Sequence, residues 1–227
     1  MKELQKQIIQ VLAERFAPYG FVKRSGNYFT RDISKNVWQR MEFPSSYYHP
    51  GVKAIYPRIA VGYKDEFNLE RKYFDLHWPF PNYTYNTFYT MLLNIVRTDD
   101  LCWRFRKEED IIPQIDDMTQ AIVKKAIPYM DYISDRKNLI AEMESGFIYS
   151  KLEDWCYRGL PIAYYLEGRK DLALWRLNYY IQKFEKELSG YMKEDENSNF
   201  TRGTRNKLQD YLEFAEKLKK VMETESR

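Results

Sequence analysis

Asp75 and His77 stand two residues apart in a stretch that reads as extended chain, so both side chains fall on one face of a strand. A carboxylate beside a histidine raises its pKa and orients the ring, the arrangement that general-base catalysis uses. Alternation along earlier strands places Trp38, Arg40 and Glu42 together, and Arg58 on a neighbouring strand. With Asp75 and His77 these residues would form a mixed aromatic and charged platform in which Arg40 or Arg58 anchors an anion. The plainer account of Asp75 and His77 is an ordinary surface or core-edge pair, because no nucleophile or oxyanion hole can be named beside them.

Other chemistries find less to stand on. The two histidines and two cysteines lie far apart, so no metal site is expected, and no cofactor either. Cys102 and Cys156 read as reduced, buried and structural. The acidic groups Asp99-Asp100, Glu108-Glu109-Asp110 and Asp116-Asp117 fall at expected helix starts, where carboxylates complement the helix dipole. No phosphate-binding glycine loop and no G-x-S-x-G elbow occurs. The last helix carries Arg202, Arg205, Lys207, Lys217, Lys219 and Lys220, but Asp210, Glu213 and Glu216 interrupt it, as on a solvated face. With 36 basic against 33 acidic residues, the net charge of +3 offers no concentrated stripe for a polyanion. Nucleic-acid binding is therefore a third reading, and it would weaken steeply with salt.

The elements that must position the platform come from periodicity. Leu4, Ile8, Val11, Leu12 and Phe16 keep helical spacing over 2–17, and Pro18 and Gly20 end that helix. Strands are predicted at 21–24, 27–32, 37–43, 56–63 and 72–78, with a turn at Ser25-Gly26-Asn27, a loop at 45–54 and a charged connection at 64–71. Helices follow at about 85–97, 115–127 and 135–145, the last with Ser134 as its cap, and an extended piece is expected at 101–105. Beyond Gly146 the spacing is helical, at 151–166, 170–188 and 204–224, with a polar loop at 190–200. The fold class expected is α+β: an antiparallel sheet of about five strands packed with helices over 1–145, then a C-terminal helical bundle over 146–227.

Several stretches resemble domain-of-unknown-function family 4304, a bacterial family. They are the opening helix, the run from Tyr19 to Arg31, the strand with Trp38-Gln39-Arg40, the strand Ile59-Ala60-Val61-Gly62, and Ile127-Pro128-Tyr129-Met130-Asp131. The resemblance covers about residues 2–145 and implies no particular activity. Trp155, Gly159, Ala163 and Ala173 are similar to one tetratricopeptide hairpin, a unit that ordinarily stacks in threes or more.

Aromatic residues make up 17% of the chain, and tyrosine and tryptophan suit both half-buried core positions and binding surfaces. The leading expectation is a non-catalytic module that grips another protein by its aromatic platform or its C-terminal helices, with an immunity or antitoxin role as one version. The alternative is a ligand-binding protein or enzyme using a cleft on the sheet, with Trp38, Arg40, Arg58, Asp75 and His77 as its residues. A cytoplasmic location without membrane contact is expected, since residues 1–10 mix charge with apolar residues, and the uncharged run 77–96 holds Pro79, Pro81, Asn82, Asn86 and Asn94.

Overall fold

A computed structural model describes residues 2–49, 51–74, 82–96, 101–145, 153–194 and 199–224. The expected Asp75 and His77 pair lies outside the described residues. The chain is α+β and forms two compact units, one from 1–64 with 78–139 and the other from 65–77 with 140–227.

The first unit opens with α1 (Lys2–Phe16), which buries Leu4, Ile8, Ile9, Leu12 and Phe16 along one stripe. Pro18 starts a single 3-10 turn, and Gly20, at φ 80°, takes the left-handed conformation that releases the chain into the sheet. That sheet is antiparallel, in the order β1 (Val22–Lys23), β2 (Tyr28–Asp32), β3 (Val37–Glu42), β6 (Arg58–Tyr63) and β7 (Phe88–Met91). Phe29 and Phe43 meet α1 from it: the Phe16 ring stacks on Phe43 at 5.7 Å and stands edge-on to Phe29 at 6.3 Å. Each such ring contributes about 1.5–3 kcal/mol through burial.

The same covered face holds a polar clasp. Gln39, fully buried, accepts from Arg31 and donates to Asp131 at 3.0 Å and Ser134 at 2.9 Å, while Arg31 also pairs with Asp131. This network ties β2 and β3 to α5 (Ile127–Ile133), which continues α4 (Ile111–Ala121) through a π turn at Ile122–Ala126. Ser134 does not cap the following helix, α6 (Arg136–Ser145); its hydroxyl donates back to the Met130 carbonyl.

Three expected elements take another form. Residues 45–54 are no loop: β4 (Ser45–His49) and β5 (Val52–Ile55) make a hairpin turned by Gly51 at φ 83°. With β8 (Trp103–Phe105), within the extended piece expected at 101–105, they form a second antiparallel sheet. The charged connection 64–71 is helical, α2 (Lys64–Tyr73), because Lys, Glu, Leu and Arg are good helix formers and Phe67 and Leu69 have a core to enter. Of the strand expected at 72–78, only 72–74 lie among the described residues, where Lys72 and Tyr73 end α2; the fifth strand of the large sheet is β7, inside the helix expected at 85–97. Phe88 and Thr90 point inward and Tyr89 and Met91 outward, and among the described residues of that stretch only the five of α3 (Leu92–Val96) are helical. A short apolar run fits either period, and its Phe, Tyr and Thr favour the pleat.

The second unit is a helical hairpin extended by a third helix: α7 (Glu153–Leu166), α8 (Lys170–Glu194) and α9 (Asn199–Thr224). Gly168, at φ 74°, closes the α7–α8 turn. The polar stretch 190–200 is helical at both described ends, as α8 runs on to Glu194 and α9 begins at Asn199. Tyr157, Tyr180, Phe184, Tyr211 and Phe214 interlock at centroid distances of 5.3–6.5 Å. Phe74, following α2, adds its ring to Phe214 at 5.0 Å.

Candidate functional site

The pairings Trp38 to Gly62, Arg40 to Ala60 and Glu42 to Arg58 put these six residues on one face of the large sheet. Tyr28 and Thr30 join them from β2, and Tyr89 and Met91 from β7. The structure thus brings Trp38, Arg40 and Arg58 together, as the alternation predicts. The platform differs from the expected one at its centre, because Arg40 is only 3% exposed. Its Nη1 donates to the Thr84 carbonyl at 2.5 Å, and its guanidinium lies 5.1 Å from the Tyr28 ring and 6.0 Å from the Tyr89 ring. Burial lowers its pKa, and Glu42, with its carboxylate 3.9 Å from Nη2, acts in the opposite direction. Arg40 is thereby a pillar of the face.

Around that pillar the rim is half-buried. Arg58 lies 5.7 Å from the Tyr89 ring centroid. Burial pushes the Tyr89 hydroxyl up, Glu42 adds to the rise, and a hydrogen bond with Arg58 opposes it. Trp38 lies flat on Gly62: a Cβ there would sit 2.3 Å from the indole. The sequence does not point to Tyr89 and Thr84, because their stretch carries the period of a helix and its approach.

Three exposed aromatic residues, Trp175, Tyr179 and Tyr191, lie on α8. Ala173, Leu177, Tyr180 and Phe184 fill the buried stripe, leaving Trp175 55% and Tyr179 44% exposed on the opposite side. These rings, one turn apart, stack at 6.0 Å and 26°. The Arg176 guanidinium braces them, 5.5 Å from Trp175, 5.1 Å from Tyr179 and 5.2 Å from Tyr180. Leu174 is exposed beside them. Asn178, on the same surface, accepts from Lys219 of α9 at 3.4 Å. A second exposed stack joins Tyr191 to Phe200, which is 74% exposed.

Two basic residues of α9 have partners within the chain. Lys207 points its ammonium at Phe184, 4.8 Å away, and at Tyr157, 5.5 Å away, and Lys220 pairs with Glu216.

Cys102 is half-buried rather than enclosed. It lines an open cleft of about 280 Å3 with Arg104, Arg106, Asp110 and Gln114. Of the acidic groups expected at helix starts, Asp110 does stand at the start of α4, whereas Asp116 pairs with Arg15 and Asp117 accepts from the Trp103 indole. Among the described residues no three His, Cys, Asp or Glu side chains gather as a metal would require, and no described helix is long and apolar enough to cross a membrane. No protein-family model matches the chain, and neither a curated protein nor a solved structure does.

Proposed function

We propose that the chain is a non-catalytic binding module that grips another protein through the aromatic row of α8. One observation carries the reading: a tryptophan more than half exposed, stacked on an exposed tyrosine and braced by an arginine. Tryptophan, tyrosine and arginine dominate binding energy at protein interfaces because large, rigid, amphipathic groups gain much from desolvation and lose little entropy. Stacking fixes the rings before any partner arrives, which lowers the ordering cost of association.

The matching partner surface is an apolar slot edged by carboxylates, since Arg176 and Lys219 flank the rings with positive charge. Neutralisation of a toxin is one role such a grip would serve. Membership of the family 4304 group belongs to the same proposal, and it adds no activity.

The test is affinity capture from the source organism on the immobilised full chain, in parallel with a Trp175→Ala/Tyr179→Ala variant. A single protein held by the wild type, lost by the variant and rebinding as a purified partner is the expected result. Equal retention by both chains, or no retained protein, would overturn the reading.

A further inference from the structure

The exposed stripe of α8 has a symmetry of its own. Asp171, Trp175, Asn178, Tyr179, Gln182 and Lys186 are all exposed, and a turn of about 3.6 residues places them within about 50° of one line along the helix, opposite the buried stripe. A carboxylate stands at one end and an ammonium at the other, with the rings and amides between them. Asp171 and Lys186 are about 22 Å apart along the axis, and their midpoint falls between Asn178 and Tyr179.

A twofold axis through that midpoint, normal to the stripe, lays α8 of a second copy antiparallel on the first. The same patch then faces itself, so each contact occurs twice. Asp171 meets Lys186 of the second copy, Trp175 meets Gln182, whose amide oxygen can accept from the indole N–H, and Tyr179 meets Asn178. A parallel arrangement would set Asp171 beside Asp171 and Lys186 beside Lys186, so charge selects the antiparallel one. Arg176 sits about 110° from the contact line and lies against rings of its own helix, which keeps its charge to the side. We propose that the chain, without its partner, pairs with a second copy of itself through α8 in this antiparallel register, covering the aromatic row until the partner displaces it. That the pairing masks a partner-binding face rests on the reading of α8 given above. The contact is one helix face wide, below the 1,200–2,000 Å2 or so of standard interfaces, so it forms and parts readily.

Sedimentation velocity of the full chain, from about 1 to about 300 μM, is expected to show a rapid monomer–dimer equilibrium with a dissociation constant on the order of 10 μM. Trp175→Ala should raise that constant at least about tenfold. Asp171→Lys and Lys186→Asp should each raise it by about tenfold, since each sets two like charges face to face twice in the dimer. Combining the two reversals restores opposite charges across the axis and should return the constant to near the wild-type value. Within one chain the two residues are too far apart to pair, and Asp171→Lys removes the acidic residue from the first turn of α8, a loss that Lys186→Asp does not repair. Recovery therefore reports contact between copies. The proposal is overturned if the chain is monomeric throughout, if Trp175→Ala or either reversal leaves the constant unchanged, or if the combined variant is as weak as the single ones. A monomer leaves the partner reading of α8 standing, because capture of another protein depends on Trp175 and Tyr179. Equal capture by wild type and the Trp175→Ala/Tyr179→Ala variant, with dimerisation intact, would overturn that reading and leave the pairing.

Discussion

Tyr211 donates its hydroxyl, at 3.0 Å, to the carbonyl of Tyr157, the backbone acceptor four residues before Pro161, which has no N–H to offer it. Proline has no N–H, so the carbonyl four residues earlier loses its usual bond, and a fully buried tyrosine from α9 supplies the replacement. Tyr211→Phe keeps the ring cluster and removes only this bond, at a cost of about 1–3 kcal/mol in urea unfolding. In a Pro161→Ala background, where residue 161 regains its N–H, the same change should cost measurably less. Equal costs in the two backgrounds would show that the hydroxyl and the proline are unrelated.

On the sheet, Gly62 is where a side chain is least tolerable. Gly62→Ala forces the Trp38 indole off its seat and should destabilise the chain by about 1–3 kcal/mol, as overpacking does. Thermal melts of Gly62→Ala and of Gly62→Ala/Trp38→Ala provide the check, since removing the indole should recover part of the loss. No recovery would place the strain elsewhere.

Arg40→Lys keeps the charge and should still cost about 1–3 kcal/mol, because an ammonium cannot replace a planar group lying near two tyrosine rings and donating to the Thr84 carbonyl. A wild-type midpoint in chemical denaturation would mean that charge alone matters at this position.

Asp110 and Tyr164 illustrate pH dependence of opposite sign. Backbone N–H groups of Arg106 and Lys107 hold the Asp110 carboxyl below its usual range of about 3.8, so its contribution is present above that value and lost as pH falls through the lower, folded-state pKa. The gap in melting temperature between wild type and Asp110→Ala should therefore be full at neutral pH and close in strong acid.

Tyr164 behaves the other way: burial first, then its hydrogen bond to Glu144, pushes the hydroxyl up to about 12. Its contribution is complete below about pH 10 and disappears as pH rises towards 12. Ultraviolet titration should show a late-ionising tyrosine that is missing in Tyr164→Phe.

Much of the fold is legible in local pattern. Glycine turns and two-residue alternation reveal β2, β3 and β6, and a continuous apolar stripe reveals α1, α8 and α9. The hairpin at Ser45–Ile55 is hidden because Pro44, Pro50 and Gly51 imitate a loop, and β7 because Phe88, Leu92 and Val96 repeat every four residues. The candidate sites divide along the same line. Alternation places Trp38, Arg40 and Arg58 on one face, but the burial of Arg40 depends on Thr84 and Tyr89, which arrive from a distant segment whose period misleads. Trp175 and Tyr179 carry a local signal, two aromatic residues one turn apart and off the apolar stripe, yet exposure becomes plain only once the opposite stripe is seen to fill the core.

The most direct measurement is photo-crosslinking in cells of the source organism, with benzoylphenylalanine replacing Tyr179 in one chain and Tyr89 in another. Binding through α8 predicts one dominant protein adduct from position 179, suppressed by Trp175→Ala, and none from position 89. An adduct from position 89 with none from 179 would contradict it and move the contact to the sheet.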